Sequence, residues 1–195
     1  MAYLLVGLIL FLGTHSLRIF APTWLEQNRA RFGDKGWKGI HSVLSVVGLI
    51  GIVVGFGAAR ADPVIVWLPP VALRHIAVLF TLGAFVLISA AYIPGNSIKA
   101  RLHHPLILGV KLWAFAHLLA NGRLADLVLF GSFLLWAILD FRASRQRDRI
   151  QGTVYAQGTT VPTVITFVVG CVAWALFAFW AHLWLIGVAP LAISR

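Results

Sequence analysis

The segment Arg101-Leu102-His103-His104-Pro105, continuing through Lys111 to His117-Leu118-Leu119-Ala120-Asn121-Gly122, sets titratable groups into sequence otherwise apolar enough to enter a bilayer. Ionisable groups at that depth are costly and count as functional candidates by default. His15, His41, His75 and His182 complete the seven histidines of the chain. Neutral imidazole is the commonest protein ligand for metals, and helices of a bundle can supply it from facing positions. Two histidines from different spans can clamp a haem iron axially while Arg or Lys pairs with the propionates. A cluster of His15, Arg18, His41, Arg101, His104 and Lys111 would meet that need if the first, second and fourth spans touch. No close-set ligand motif such as His-Glu-x-x-His occurs, and the acidic residues are too few and scattered for a carboxylate-bridged centre.

The elements that must position these groups are membrane helices. Of the 195 residues 60% are hydrophobic, and the mean hydropathy of +0.90 is far from that of a soluble domain. A helix needs about 20 apolar residues to cross a bilayer. On that test the sequence predicts an all-α polytopic transmembrane helix bundle of about six spans: residues 2–20, 41–59, 71–93, 105–120, 124–141 and 161–184. Ala21-Pro22 closes the first and Pro94-Gly95-Asn96 the third. The fourth is short and carries Lys111. Residues 186–195 read as a short interfacial tail. No soluble domain, repeat or linker is visible, so residues 1–195 read as one membrane domain. The first apolar run lacks a basic leader and a small-residue cleavage site, so it is expected to be retained. Cys171 is alone, which rules out a disulfide framework within one chain.

The formal charge of +10 does not point to nucleic acid, because the basic residues sit between apolar runs instead of on one face or in a tail. It reads as topology. Arg18, Arg29, Arg31, Lys35, Lys38, Lys99, Arg101, Arg142, Arg145, Arg147 and Arg149 fall on one side, and Arg60, Arg74, Arg123 and Arg195 on the other. Basic loops face the cytoplasm, so both termini are expected to be non-cytoplasmic. The run Arg142 to Arg149 is expected as a solvated loop against the anionic inner surface, where each basic residue contributes about 1 kcal/mol.

This orientation sorts the histidines by depth. His15, His41, His103 and His104 fall toward the cytoplasm, and His75, His117 and His182 toward the other side. His104 and His117, thirteen residues apart, would differ in height by roughly 20 Å on a straight helix, too far to share one metal ion. His104 and Lys111, seven apart, would share a face. Ordinary roles compete with ligation throughout. His41 and His75 open spans, His103 reads as a solvated neighbour of His104, and His182 between Trp180 and Trp184 fits an aromatic belt. His104 before Pro105 can mark a helix start, and His117 with Asn121 can make an interhelical hydrogen bond. His15, inside the first apolar run with Arg18 one turn on, is the hardest to explain structurally.

Hydrolytic chemistry has little support. Ser16, Ser89 and Ser132 lack a Gly-x-Ser-x-Gly setting, and His41 and Ser42 diverge on a helix. Asp140 can orient a histidine or pair with a neighbouring Arg. Asp62 and Asp126 are expected in or beside outer loops. Gly95, Gly109 and Gly122 do not make a phosphate loop, and turn or packing roles suffice.

Thr14-His15-Ser16-Leu17-Arg18, the His104-Pro105 entry, Ala116-His117-Leu118-Leu119-Ala120-Asn121-Gly122 and Leu129-Phe130-Gly131-Ser132-Phe133 together resemble the NnrU family of bacterial membrane proteins, across nearly all six spans. The resemblance implies a multi-pass protein of the bacterial inner membrane, associated with denitrification and related to plant zeta-carotene isomerase, a haem b enzyme. It further implies haem b as cofactor and, as activity, isomerisation of an apolar polyene or participation in nitrogen-oxide metabolism. Carried over, His15 and His104 become the preferred axial ligands, Arg18 and Lys111 cofactor-binding residues, and His117 and His41 the next metal candidates. His103, where the wider superfamily has Arg, departs from the pattern. A non-enzymatic assembly or regulatory factor with respiratory-complex partners is the alternative. Arg101-x-x-His104-Pro105, followed by Gly109, also loosely resembles isoprenylcysteine carboxyl methyltransferases, which use S-adenosylmethionine. The aromatic region and the C-terminal acidic pair of those enzymes are missing here.

Overall fold

The computed structural model describes residues 1–191, so Arg195 and the end of the expected tail lie outside the described residues. The fold is all-α, with no β-strand among the described residues. Its helices are α1 (Ala2–Phe20), α2 (Pro22–Ala61), α3 (Val71–Tyr92), α4 (Ser97–Leu102), α5 (Pro105–Ala120), α6 (Leu124–Gln151), α7 (Thr160–Leu176) and, after a π-helical turn at Phe177–Ala181, α8 (His182–Ile186). Five segments are long and apolar enough to cross a membrane, the stretch Thr160–Ile186 counting as one, and the sixteen-residue α5 is a shorter sixth. Outward positions on α2 such as Val43, Val46, Val47, Ile50, Val53 and Val54 are exposed. Apolar side chains can stay outside only where lipid replaces water, so the molecule is a multi-pass membrane protein.

The helix limits follow local chemistry. Pro22 supplies the preset φ of a first helical position. Ile93, held extended before Pro94, ends α3. Asn96 caps α4 by accepting the Lys99 N–H at 2.8 Å and, itself buried, donates to the Ala90 carbonyl at 2.9 Å. Two expectations are corrected. The first basic loop is helical, running into the second span with only Gly33 (φ 71°, ψ 161°) breaking the helical backbone. The Arg142–Arg149 run is not a loop but the last turns of α6. Its Arg, Gln, Ala and Ser residues oppose no helix and it holds neither Gly nor Pro, until Gly152 at φ 61° ends it.

The chain divides into two compact units, residues 1–68 with 121–143, and residues 69–120 with the chain from Ser144 onward. In the first, α1 packs along α2 through glycines. A Cβ on Gly55 would run into the Leu4 backbone, and one on Gly7 into the backbone of Gly51 and Ile52. Such close approach of backbones is how helices associate where hydrophobic force is absent. In the same unit Val66 N–H donates to the Gly122 carbonyl at 2.8 Å and Leu124 N–H to the Val64 carbonyl at 2.8 Å. Only glycine fits at 122, because a Cβ there would meet the Trp67 carbonyl. In the second unit α3 is the centre, with α5 packing on it at Gly109 and α7 at Gly170. Trp174 Nε1 donates to Thr81 Oγ1 at 3.1 Å across the α3–α7 contact.

Candidate functional site

In the first unit the α1–α2 packing brings His15 to His41. Their ring centroids are 4.9 Å apart with planes at 68°, Phe11 stacks on His15 at 4.4 Å, and Trp136 of α6 stands perpendicular to it at 6.2 Å. His41 does not begin a helix. It lies inside the continuous α2, and that is why it can face His15. Phe11 also tilts against Phe133 at 5.8 Å, so the pair is walled by aromatic rings.

Protonation of the ring nitrogens follows from their partners. His15 Nδ1 is 2.7 Å from the Phe11 carbonyl, which only accepts, so Nδ1 carries the proton and Nε2 keeps its lone pair. In His41 the Ser45 hydroxyl gives its proton to the His41 carbonyl at 2.7 Å, and its oxygen faces Nδ1 at 3.4 Å. His117 Nδ1 lies 2.8 Å from the Trp113 carbonyl, so its intrahelical bond also leaves Nε2 with the lone pair. An imidazole held through Nδ1 by a carbonyl is the usual support of a metal-binding histidine.

The second unit holds a cluster that the sequence only half revealed. His104 stands at the start of α5, its carbonyl accepting the Leu108 N–H at 3.2 Å. Its Nε2 donates to Asp148 Oδ2 at 2.8 Å, and the Tyr155 hydroxyl donates to the same oxygen at 3.0 Å. His103 is not merely a solvated neighbour. It stacks on Tyr155 with centroids 4.1 Å apart, accepts from Arg145 Nη1, and is the one non-glycine residue at positive φ (69°) among the described residues. Burial and the Asp148 carboxylate push the Tyr155 phenol above its ordinary pKa. Asp148, Arg145 and Tyr155 were not singled out by sequence. The available signal was one carboxylate inside a basic run, with Arg145 one helical turn before it.

Because Asp148 gathers His104 and Tyr155, Asp148→Asn is expected to lower the thermal midpoint of the detergent-solubilised protein more than Tyr155→Phe. The neutral amide oxygen of asparagine accepts these two donors more weakly than the charged carboxylate does. Equal midpoints for wild type and Asp148→Asn in a melting series would refute this.

Of the remaining candidates, Lys111 is half-buried in α5, while Arg18, on the His15 side of α1, and His75 and Arg101 are exposed. His182 Nδ1 donates to the Val188 carbonyl at 2.7 Å and packs edge-on to Phe177, as an aromatic belt residue would. Asp126, expected in or beside an outer loop, is buried in the first turn of α6. An open apolar groove lies along α1 at Val6, Ile9, Leu10, Gly13, Thr14 and Leu17, a face turned away from His15 by the helical repeat.

The model of the NnrU protein family matches residues 3–190, nearly the whole chain. The chain belongs to the NnrU family. Among curated proteins and solved structures none matches it.

Membership of the NnrU family makes the donor set worth testing against the haem that the sequence resemblance implied. His15 fits, offering Nε2 in an aromatic setting beside an enclosed indole N–H of Trp136 that has no hydrogen-bond partner among the described residues. His41 sits beside His15, its ring centroid 4.9 Å away. His104 Nε2 is engaged by Asp148. No group of three or more His, Cys, Asp or Glu converges among the described residues.

Proposed function

We propose that this NnrU-family membrane protein binds haem b, with His15 as the residue that would hold the iron and Arg18 pairing with a propionate. The observation that carries the reading is the His15 imidazole, fixed through Nδ1 by the Phe11 carbonyl at 2.7 Å and walled by Phe11, His41 and Trp136. Haem supplies a redox-active Lewis acid. The protein's part is to hold one imidazole tautomer, to exclude water with apolar helices, and to neutralise carboxylate charge with Arg18. The apolar bundle suits an apolar substrate such as a polyene or a partner in the membrane, the family suggests nitrogen-oxide metabolism in a bacterial inner membrane, and the distribution of Lys and Arg favours both termini outside the cytoplasm.

The test is an optical spectrum of the full chain purified in detergent from haem-supplied cells. A Soret band is expected. Folded wild type without a Soret band, together with stable membrane-protein partners in a mild-detergent pull-down, would overturn the proposal in favour of an assembly or regulatory factor.

A further inference from the structure

The first unit carries, beside His15, a polar atom that nothing satisfies. Trp136 Nε1 is enclosed and has no hydrogen-bond partner among the described residues, while its ring stands at 90° to the His15 imidazole. The neighbouring rings of Phe11 and Phe133 offer no side-chain acceptor, and the Phe11 carbonyl already accepts from His15 Nδ1 and from the Thr14 hydroxyl at 2.8 Å. An unpaired N–H in an apolar interior sacrifices a full hydrogen bond, and native proteins rarely keep one without a ligand or water to take it. Phenylalanine would fill an apolar place without that cost.

We infer that the Trp136 indole N–H donates a hydrogen bond to an acceptor atom of the group held at His15, making Trp136 the residue that favours a ligand carrying such an acceptor. This rests on the haem reading above. Two sources present the same chemistry: a propionate carboxylate, or a small ligand bound to the iron. Either converts the unsatisfied donor into a satisfied one beside His15. The carboxylate makes the stronger bond because the acceptor is charged.

The experiment uses the full chain in detergent, titrated with ferric haem b and with its dimethyl ester, and compares three side chains at 136. These are the native tryptophan, Trp136→Phe, and a benzothienylalanine incorporated at 136, which keeps the bicyclic shape but has no N–H. Haem b affinity is expected to fall about tenfold for the benzothienyl protein, with helix content unchanged. A gap that closes with the dimethyl ester identifies the propionate as acceptor. A gap that persists with the ester, together with a higher C–O stretching frequency in the ferrous carbon monoxide complex, identifies the iron ligand. Equal affinities and equal C–O stretches for the two bicyclic side chains would overturn the inference and leave the His15 assignment standing. Failure of the folded wild type to bind haem b would overturn both.

Discussion

His15→Ala is expected to abolish the Soret band of haem-supplied protein, the largest single effect on the candidate site. His15 joins three properties that no other histidine here combines. Its Nδ1 proton is committed to the Phe11 carbonyl, its ring is stacked on Phe11, and it faces both His41 and the enclosed indole of Trp136. Alanine removes the lone pair but keeps a good helix former in α1, so the fold should persist. His15→Gln, which restores a polar side chain without the imidazole, should not recover the band. Gly13→Leu is the matched control, since a Cβ at Gly13 meets nothing within 4 Å and lies on the groove face of α1. Optical spectra of the variants at equal protein concentration decide the matter. A full-intensity band in His15→Ala would remove His15 from the ligand set.

The second large effect is expected at a residue remote from any chemistry. Gly55→Leu should separate α1 from α2, because the added side chain would begin inside the Leu4 backbone, which cannot swing aside as a flexible side chain can. Overpacking costs about 1–3 kcal/mol in well-packed interiors, and a collision with main chain belongs at or above the top of that range. Loss of the His15–His41 contact should follow, since that pair exists only through this packing. Gly57→Leu, two residues on, has nothing within 4 Å of its Cβ and should be close to neutral. Thermal unfolding of the two variants side by side in one detergent is the measurement. Similar midpoints would show that the α1–α2 contact tolerates separation.

The Gly55 argument also shows where reading a sequence stops. The apolar runs, their breaker residues and the isolated histidines were legible because each is a local property. Lipid demands a long apolar helix wherever one crosses, and Pro or Gly ends it. The limits of α3 and α5 fell almost where the pattern placed them. The family too was legible, in short motifs around His15, His104, His117 and Gly131. Two basic stretches misled, for a physical reason. Arg and Lys mark where a chain leaves the bilayer, but they do not stop a helix, so α2 and α6 continue through them.

What the sequence by itself determined is the class of molecule, a multi-pass helical membrane protein of the NnrU family, and a roster of candidate ligands. Those conclusions rest on hydropathy, periodicity and short-range motifs, which do not depend on which helices meet. Tertiary structure alone decided the company each candidate keeps. His15 and His41, twenty-six positions apart, face one another because glycines let two backbones approach. His104 meets Asp148 and Tyr155 because the chain returns to it after α6. Trp136 is left with an unsatisfied N–H because packing, not spacing, encloses it. Side-chain pairing across helices depends on crossing points and ring orientation, and neither is written in the one-dimensional pattern.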